Sequence, residues 1–311
     1  MMKLAICGLL LCANVAQARL KEYSGLVVAD AKAHARPPLD AIRVTYLGVN
    51  GYQFETGNRV LLVDPYFTRI GFWPVVLSQP IASDRQRVDE GFKHLLKPAD
   101  AVLVTHAHFD HLLDVHAVME RTGAKLISDP TAIHLVQSIG VPPGRCEIVM
   151  PGAVRTIGPW TIRVFPAEHD KLFGSTPFPG RIETTTRPPK KASDWVLGEP
   201  LAFVIEAAGK RIYIDSGGVP GAPPSAAIGH VDLAILGVAL PDGRQRFAEA
   251  VHRLTPRYIL PSHQDDFFAP LSGGFVFGKL TNFPQLLRTH KEEHLPGCVI
   301  LLDYFHPWTL R

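Results

Sequence analysis

Apolar positions fall into short runs along much of the chain, some alternating with polar residues and some nearly continuous. IRVTYL from Ile42, then YQFET, then RVLLVD read as three strands. Asn50-Gly51 and Gly57-Asn58 separate them and suit hairpin turns, and Asp64-Pro65 ends the third run. AVLVT (101–105), KLIS (125–128), EIVM (147–150) and WTIRVFPA (160–167) predict further strands. So do LAFVIEA (201–207), RIYID (211–215), VDLAILG (231–237), RYILP (257–261) and CVILLD (298–303). Helical spacing appears in 112–123, which Gly123 would cap, in Pro130 to Ile139, and in 248–254. Residues 66–93 show no regular pattern. Strands interspersed with helices predict an α/β sandwich, with sheets inside and helices outside.

The chain has 311 residues, 46% of them apolar and 20% charged. A chain near this length can bury roughly 75% of its unfolded surface, and this composition excludes a disordered chain, a coiled coil or a collagen-like repeat. Lys and Arg number 32 against 29 Asp and Glu, for a formal charge of +3. That balance is too mild to indicate nucleic-acid binding.

The first residues change the compartment. Met1-Met2-Lys3, the run LAICGLLLCANV and Ala16-Gln17-Ala18 form a secretory signal pattern. The run from Leu4 to Val15 is shorter than the roughly 20 residues a bilayer span requires. The expectation is a signal peptide over 1–18, an N-terminal arm over 19–41 and one domain over 42–311. The mature protein would be periplasmic or secreted, without stable membrane insertion. Lipoprotein cleavage before Cys12 is disfavoured by the bulky Leu11. Cys7 and Cys12 would leave with the signal. Cys146 and Cys298 would remain, and they read as structural although an oxidising compartment would allow them to pair.

The chemistry is concentrated in Thr105-His106-Ala107-His108-Phe109-Asp110-His111, which follows a buried strand and precedes a helix. In extended chain, residues two apart point to the same side, so His106 and His108 can reach one metal ion. Asp110 and His111 fall where the helix begins and can face a neighbouring position. Imidazole suits zinc, and a carboxylate beside it broadens the choice to manganese or iron.

With this motif the chain resembles the metallo-β-lactamase fold superfamily over roughly residues 42–303. The resemblance implies a four-layer αββα sandwich and a metal-dependent hydrolase. The opening TYLGVNGYQFETGNRVLLVDPYF is most similar to the branch of ascorbate-phosphate lactonases and N-acyl-phosphatidylethanolamine phospholipase D. This chain carries Val49-Asn50 where that branch often has His-Ala. The resemblance implies three further ligands: His169 after WTIRVFPAE, Asp215 in RIYIDSGG, and His263 in YILPSHQDDF. His106, His108 and His169 would hold one metal; Asp110, His111 and His263 the second; Asp215 would bridge them. A bridging aspartate is similar to the lactonase, thioesterase and phosphodiesterase branches, whereas typical zinc β-lactamases lack it. Asp64 resembles the acid that orients a ligand histidine. Asp265 and Asp266 read as solvated neighbours of His263 in preference to acids that orient a ligand, and His116 as structural.

Two divalent ions, zinc before manganese or iron, would lower the pKa of a shared water to about 7 and sharpen it for attack on a carbonyl carbon or phosphorus. Asp110 is the expected catalytic residue, orienting that water and relaying its proton. The expected bond is an ester, lactone or phosphodiester. The segment 171–193 carries Lys171, Arg181, Arg187, Lys190 and Lys191 against Glu183, which points to a small anionic substrate. Phe173, Phe178 and Trp195 would line an apolar wall or anchor this loop. The rival readings are a non-catalytic zinc-binding module of the same fold and an iron-dependent oxidoreductase.

Overall fold

Three consecutive antiparallel strands, β1 (Ile42–Gly48), β2 (Gly51–Thr56) and β3 (Arg59–Val63), open the fold of this computed structural model, which describes residues 19–31, 36–185, 187–217 and 228–311. The expected leader, residues 1–18, lies outside the described residues. Period-two patterning sorts the side chains of this sheet. Ile42, Val44, Tyr46, Tyr52, Phe54, Leu61 and Val63 enter one core, while Val60 and Leu62 enter another.

The sheet continues in parallel through β4 (Ala101–Leu103), β5 (Lys125–Ser128) and β6 (Cys146–Ile148), with β14 (Trp308–Leu310) on the outer side of β1. Five helices lie along these crossovers: α1 (Phe72–Val76), α2 (Arg85–Phe92), α3 (Phe109–Leu112), α4 (Val115–Thr122) and α5 (Pro130–Ser138). Asp129 caps α5 by accepting from the amides of Thr131 and Ala132, with Pro130 at the first helical position. Val88, Val118 and Ile133 on these helices share the second core with Val102 and Leu126.

The second sheet holds β7 (Val154–Ile157), β8 (Trp160–Pro166), β9 (Leu201–Ala207), β10 (Lys210–Ile214), β11 (Leu233–Gly237), β12 (Tyr258–Ser262) and β13 (Cys298–Val299). Each sheet has seven strands among the described residues. The first core mixes side chains of both sheets with those of α6 (Pro241–Leu254) and α7 (Phe283–Glu292). Phe247, Ala250, Val251 and Leu254 of α6 recur at helical spacing and are buried. Two face-to-face sheets with helices outside each make the αββα architecture expected.

Strand direction positions the site. Strands β8 and β10 both pair antiparallel with β9, and β10, β11 and β12 pair in parallel. Strands β8, β10 and β12 therefore run the same way, and the loops carrying His169, Asp215 and His263 leave one edge of the sheet. The two sheets meet there, where the amide of Leu201 donates to the Thr105 carbonyl at 2.7 Å.

Several expectations need correction. Residues 66–93 hold two helices rather than irregular chain. Buried Asp114 anchors this stretch by accepting from the amides of Phe67 and Thr68 and the hydroxyls of Thr68 and Ser83. The helix expected over 112–123 is divided between α3 and α4, and the one expected over 248–254 begins at Pro241. The strand expected over 298–303 keeps only Cys298–Val299. Beyond it the chain turns to the N-terminal arm, where Leu301 donates to Leu26 and accepts from Val28. Strands β7 and β14 and helix α7 were not apparent from the pattern. Cys146 is half-buried, Cys298 is exposed, and both are free thiols. No helix among the described residues is long and apolar enough to cross a membrane.

Candidate metal centre

Strand β4 ends at Leu103, and the next eight residues deliver four buried potential ligands. His106 and His108 lie in the loop before α3, His108 with extended backbone at its N-cap, and Asp110 and His111 lie in α3. His106 Nε2 and His108 Nδ1 approach to 3.0 Å. His169 closes on both, its ring 4.8 Å from that of His106 and 4.7 Å from that of His108. These three residues each place a ligand atom within 4.8 Å of the others. Asp110, His111 and His263 form a second group by the same measure. Here Asp110 Oδ2 lies 3.1 Å from His263 Nε2 and 3.6 Å from His111 Nε2.

Asp215 joins neither group among the described residues. Its two carboxylate oxygens accept from the Tyr213 hydroxyl and the Gly237 amide, both at 3.0 Å. Burial pushes its carboxyl up to about 6. Its neighbour Ser216 does reach the cluster, with Oγ 2.9 Å from His106 Nδ1.

Asp64 stands behind His111. It takes up four contacts: the Asn50 side-chain amide at 2.8 Å, the Thr105 amide at 2.8 Å, the Thr105 hydroxyl at 2.6 Å and His111 Nδ1 at 2.9 Å. Asn50 extends the chain by accepting from Ser262 Oγ at 2.6 Å, one residue before His263. The sequence reading assigned no role to Asn50 or Ser216; Ser216 adjoins Asp215, whereas Asn50 is brought to the site only by the fold.

Asp265 is buried rather than the solvated neighbour that its sequence context favoured. It is buried in an ion pair with Arg69 and also accepts from the Val49 amide and the Tyr304 hydroxyl. Burial opposes its charge, but Arg69 outweighs that cost and holds the carboxyl below its ordinary range. The Val49 carbonyl in turn accepts from the His263 amide at 2.7 Å. Val49 and His263 both adopt left-handed backbone, with φ of 56° and 55°. A β-branched residue in that region is strained, and this hydrogen-bonded turn holds it in place.

The electrostatics match a cation site. Burial, then the neighbouring rings of His111 and His108, keeps His106 neutral well below the ordinary histidine value. Burial lowers His108 to about 4. Burial also disfavours charge on Asp110, yet His111 and His263 outweigh it and hold the carboxyl far below its usual range. His111 shows the reverse balance: burial opposes its protonation, but Asp110 and Asp64 raise its pKa. His111 Nε2 is buried without a hydrogen-bond partner and faces Asp110. A buried orphan nitrogen beside a carboxylate, next to two imidazole nitrogens 3.0 Å apart, fits a site built for metal ions.

The basic loop presents its cations to solvent. Its five basic residues are exposed, and Arg181 pairs with Glu199. Pro177 and Phe178 of this loop reach His108 through their backbone, and the Phe178 ring stands 6.0 Å from the His108 ring. Trp195 is buried and anchors the loop in the second core, while Phe173 is exposed. His116 belongs to neither ligand group.

Residues 43–263 match the model of the beta-lactamase superfamily domain. A metal-dependent hydrolase from Pelotomaculum thermopropionicum is 29% identical over 231 residues, covering 71% of this chain and 84% of that protein. One from Myxococcus xanthus is 25% identical over 270 residues, covering 85% and 84%. Among solved structures, the metallo hydrolase Igni18 from Ignicoccus hospitalis superimposes with a TM-score of 0.58 at 18% identity, covering 87% of this chain and 99% of that one. CmlA, a diiron β-hydroxylase from Streptomyces venezuelae, gives 0.56 at 14% identity, covering 89% and 55%. These structural likenesses speak to the fold.

Proposed function

The chain belongs to the metallo-β-lactamase superfamily, and from that premise we propose that it is an exported metal-dependent hydrolase holding two divalent ions, zinc before manganese or iron. The observation that carries this reading is the pair of ligand groups, His106–His108–His169 and Asp110–His111–His263, each built from two residues of one short motif and one histidine from a distant loop. The metal-dependent hydrolases among its relatives support it.

When bound, such ions supply Lewis acidity and lower the pKa of water to about 7. The protein's own groups do the rest. His106 and His108, kept neutral by burial, present lone pairs at neutral pH. Ser216 and Asp64 fix the rings of His106 and His111 through their far nitrogens. Asp110, held ionised, is the carboxylate placed to accept a proton from water and deliver it to a leaving group. No serine or cysteine nucleophile is needed. The bond attacked is an ester, lactone or phosphodiester.

The test is turnover by protein loaded with zinc or manganese on a panel of esters, lactones and bis-p-nitrophenyl phosphate. Hydrolysis that disappears on chelation and returns with metal supports the reading. Metal uptake without turnover across the panel would identify a binding module instead, and stoichiometric iron in coloured protein an oxidoreductase.

A further inference from the structure

We propose that a cavity sharing His263 with the candidate metal centre receives an uncharged alkyl or aryl group of the substrate. This names a substrate class for the hydrolase reading and rests on it. The cavity measures about 320 Å³, at the lower end of the range for small-molecule sites. Its walls include Phe72, Trp73, Leu240, Phe267 and Phe268, together with His263.

These aromatic rings form a continuous ladder. Trp73 packs edge-on to Phe72 at 5.3 Å, and Phe72 to Phe268 at 5.3 Å. Phe268 lies 4.1 Å from Phe267, whose ring meets His263 at 5.2 Å and 87°. A group bonded to a carbonyl or phosphorus at the centre would meet this ladder directly.

Helix α1 packs Val75 against the second core yet leaves part of its apolar surface in water. All five of its residues, Phe-Trp-Pro-Val-Val, are apolar, and none is buried. Trp73 is 51% exposed. Apolar area left in water at the mouth of a site is a source of binding free energy once covered. Three charged side chains line the cavity, Asp265, Asp266 and Lys279; Asp265 is already paired with Arg69, and the other two have opposite signs, so the walls offer no net charge to select an anion or a cation. Phe178 on the far side of the centre extends the apolar surroundings.

The test separates binding from turnover. Straight-chain primary alcohols from ethanol to octanol would be titrated by calorimetry into metal-loaded and metal-free protein. The expected Kd falls about fourfold per methylene until the cavity is full. Trp73→Ala, on an exposed helix, should flatten that dependence. Ala239→Phe, which adds a ring at the cavity wall, should end the gain at a shorter chain. A wild-type Kd independent of length, or a dependence unchanged in both variants, overturns the proposal. In parallel, p-nitrophenyl esters from acetate to octanoate report on the hydrolase reading. Length-dependent alcohol binding with no ester turned over defeats that reading and leaves the cavity assignment standing. Ester turnover without length dependence in either measurement does the opposite.

Discussion

His111 Nδ1 lies 2.9 Å from Asp64 Oδ2, and both residues are 0% exposed. The carboxylate fixes which ring nitrogen of His111 faces Asp110 and leaves Nε2 free to ligate. Asp64→Asn places an amide among the Asn50, Thr105 and His111 groups that Asp64 now serves. Metal affinity should fall about 10–100-fold. Chelator competition would show one ion weakened more than the other; equal affinity for both ions in the variant and the wild type would refute the role.

Metal uptake should release a proton from His111. Its raised pKa means that metal-free protein keeps both ring protons at pH values below that pKa, and Nε2 must lose one to ligate. Release is therefore greatest at mildly acidic pH and vanishes as pH rises through the folded pKa. Calorimetry in two buffers of different ionisation enthalpy measures it. Asp64→Asn removes one of the anions holding the proton, so release at pH 6.5 should shrink. A buffer-independent heat at that pH would count against the assignment.

His108 and Asp110 should separate binding from rate. His108→Ala removes a ligand and should lower metal content. Asp110→Asn should retain much of the metal and slow turnover by roughly 10²–10⁴-fold. Metal analysis paired with kcat decides, and full activity in both variants is incompatible with the proposed roles.

Arg69→Met strands the Asp265 carboxylate in the interior. Both partners are 0% exposed in their side chains, so the loss should be about 3–5 kcal/mol. Urea unfolding of metal-free protein reads it. Arg69→Met combined with Asp265→Leu should recover part of the loss, because no buried charge is then unmatched; an additive double variant would show that the pair is uncoupled.

What could be read from the sequence was local. Strands β1 to β3 stand out because their alternation matches a half-shared core, and the ligand motif because four donors fall within six residues after a buried strand. Asp64 was recognisable from its position before Pro65. Asp265 was misread because its partner, Arg69, is 196 residues away and nothing nearby indicates the pairing. Helix α2 escaped notice because it has few apolar positions and starts on an Asp84 cap inside an otherwise uneven stretch. Strand β13 ended early because the N-terminal arm claims Leu301, a contact between opposite ends of the chain.

The ligand groups draw on residues from 106 to 263, in loops of both sheets, and Arg69 with Asp265 ties the loop of His263 to the segment after β3. No short peptide of this chain contains a complete site, so capture of ions waits for the sheets to close on one another. A polypeptide threaded through a membrane before folding would arrive empty. The ion it finally holds would be chosen by the supply on the side where it folds, as much as by its own donor atoms.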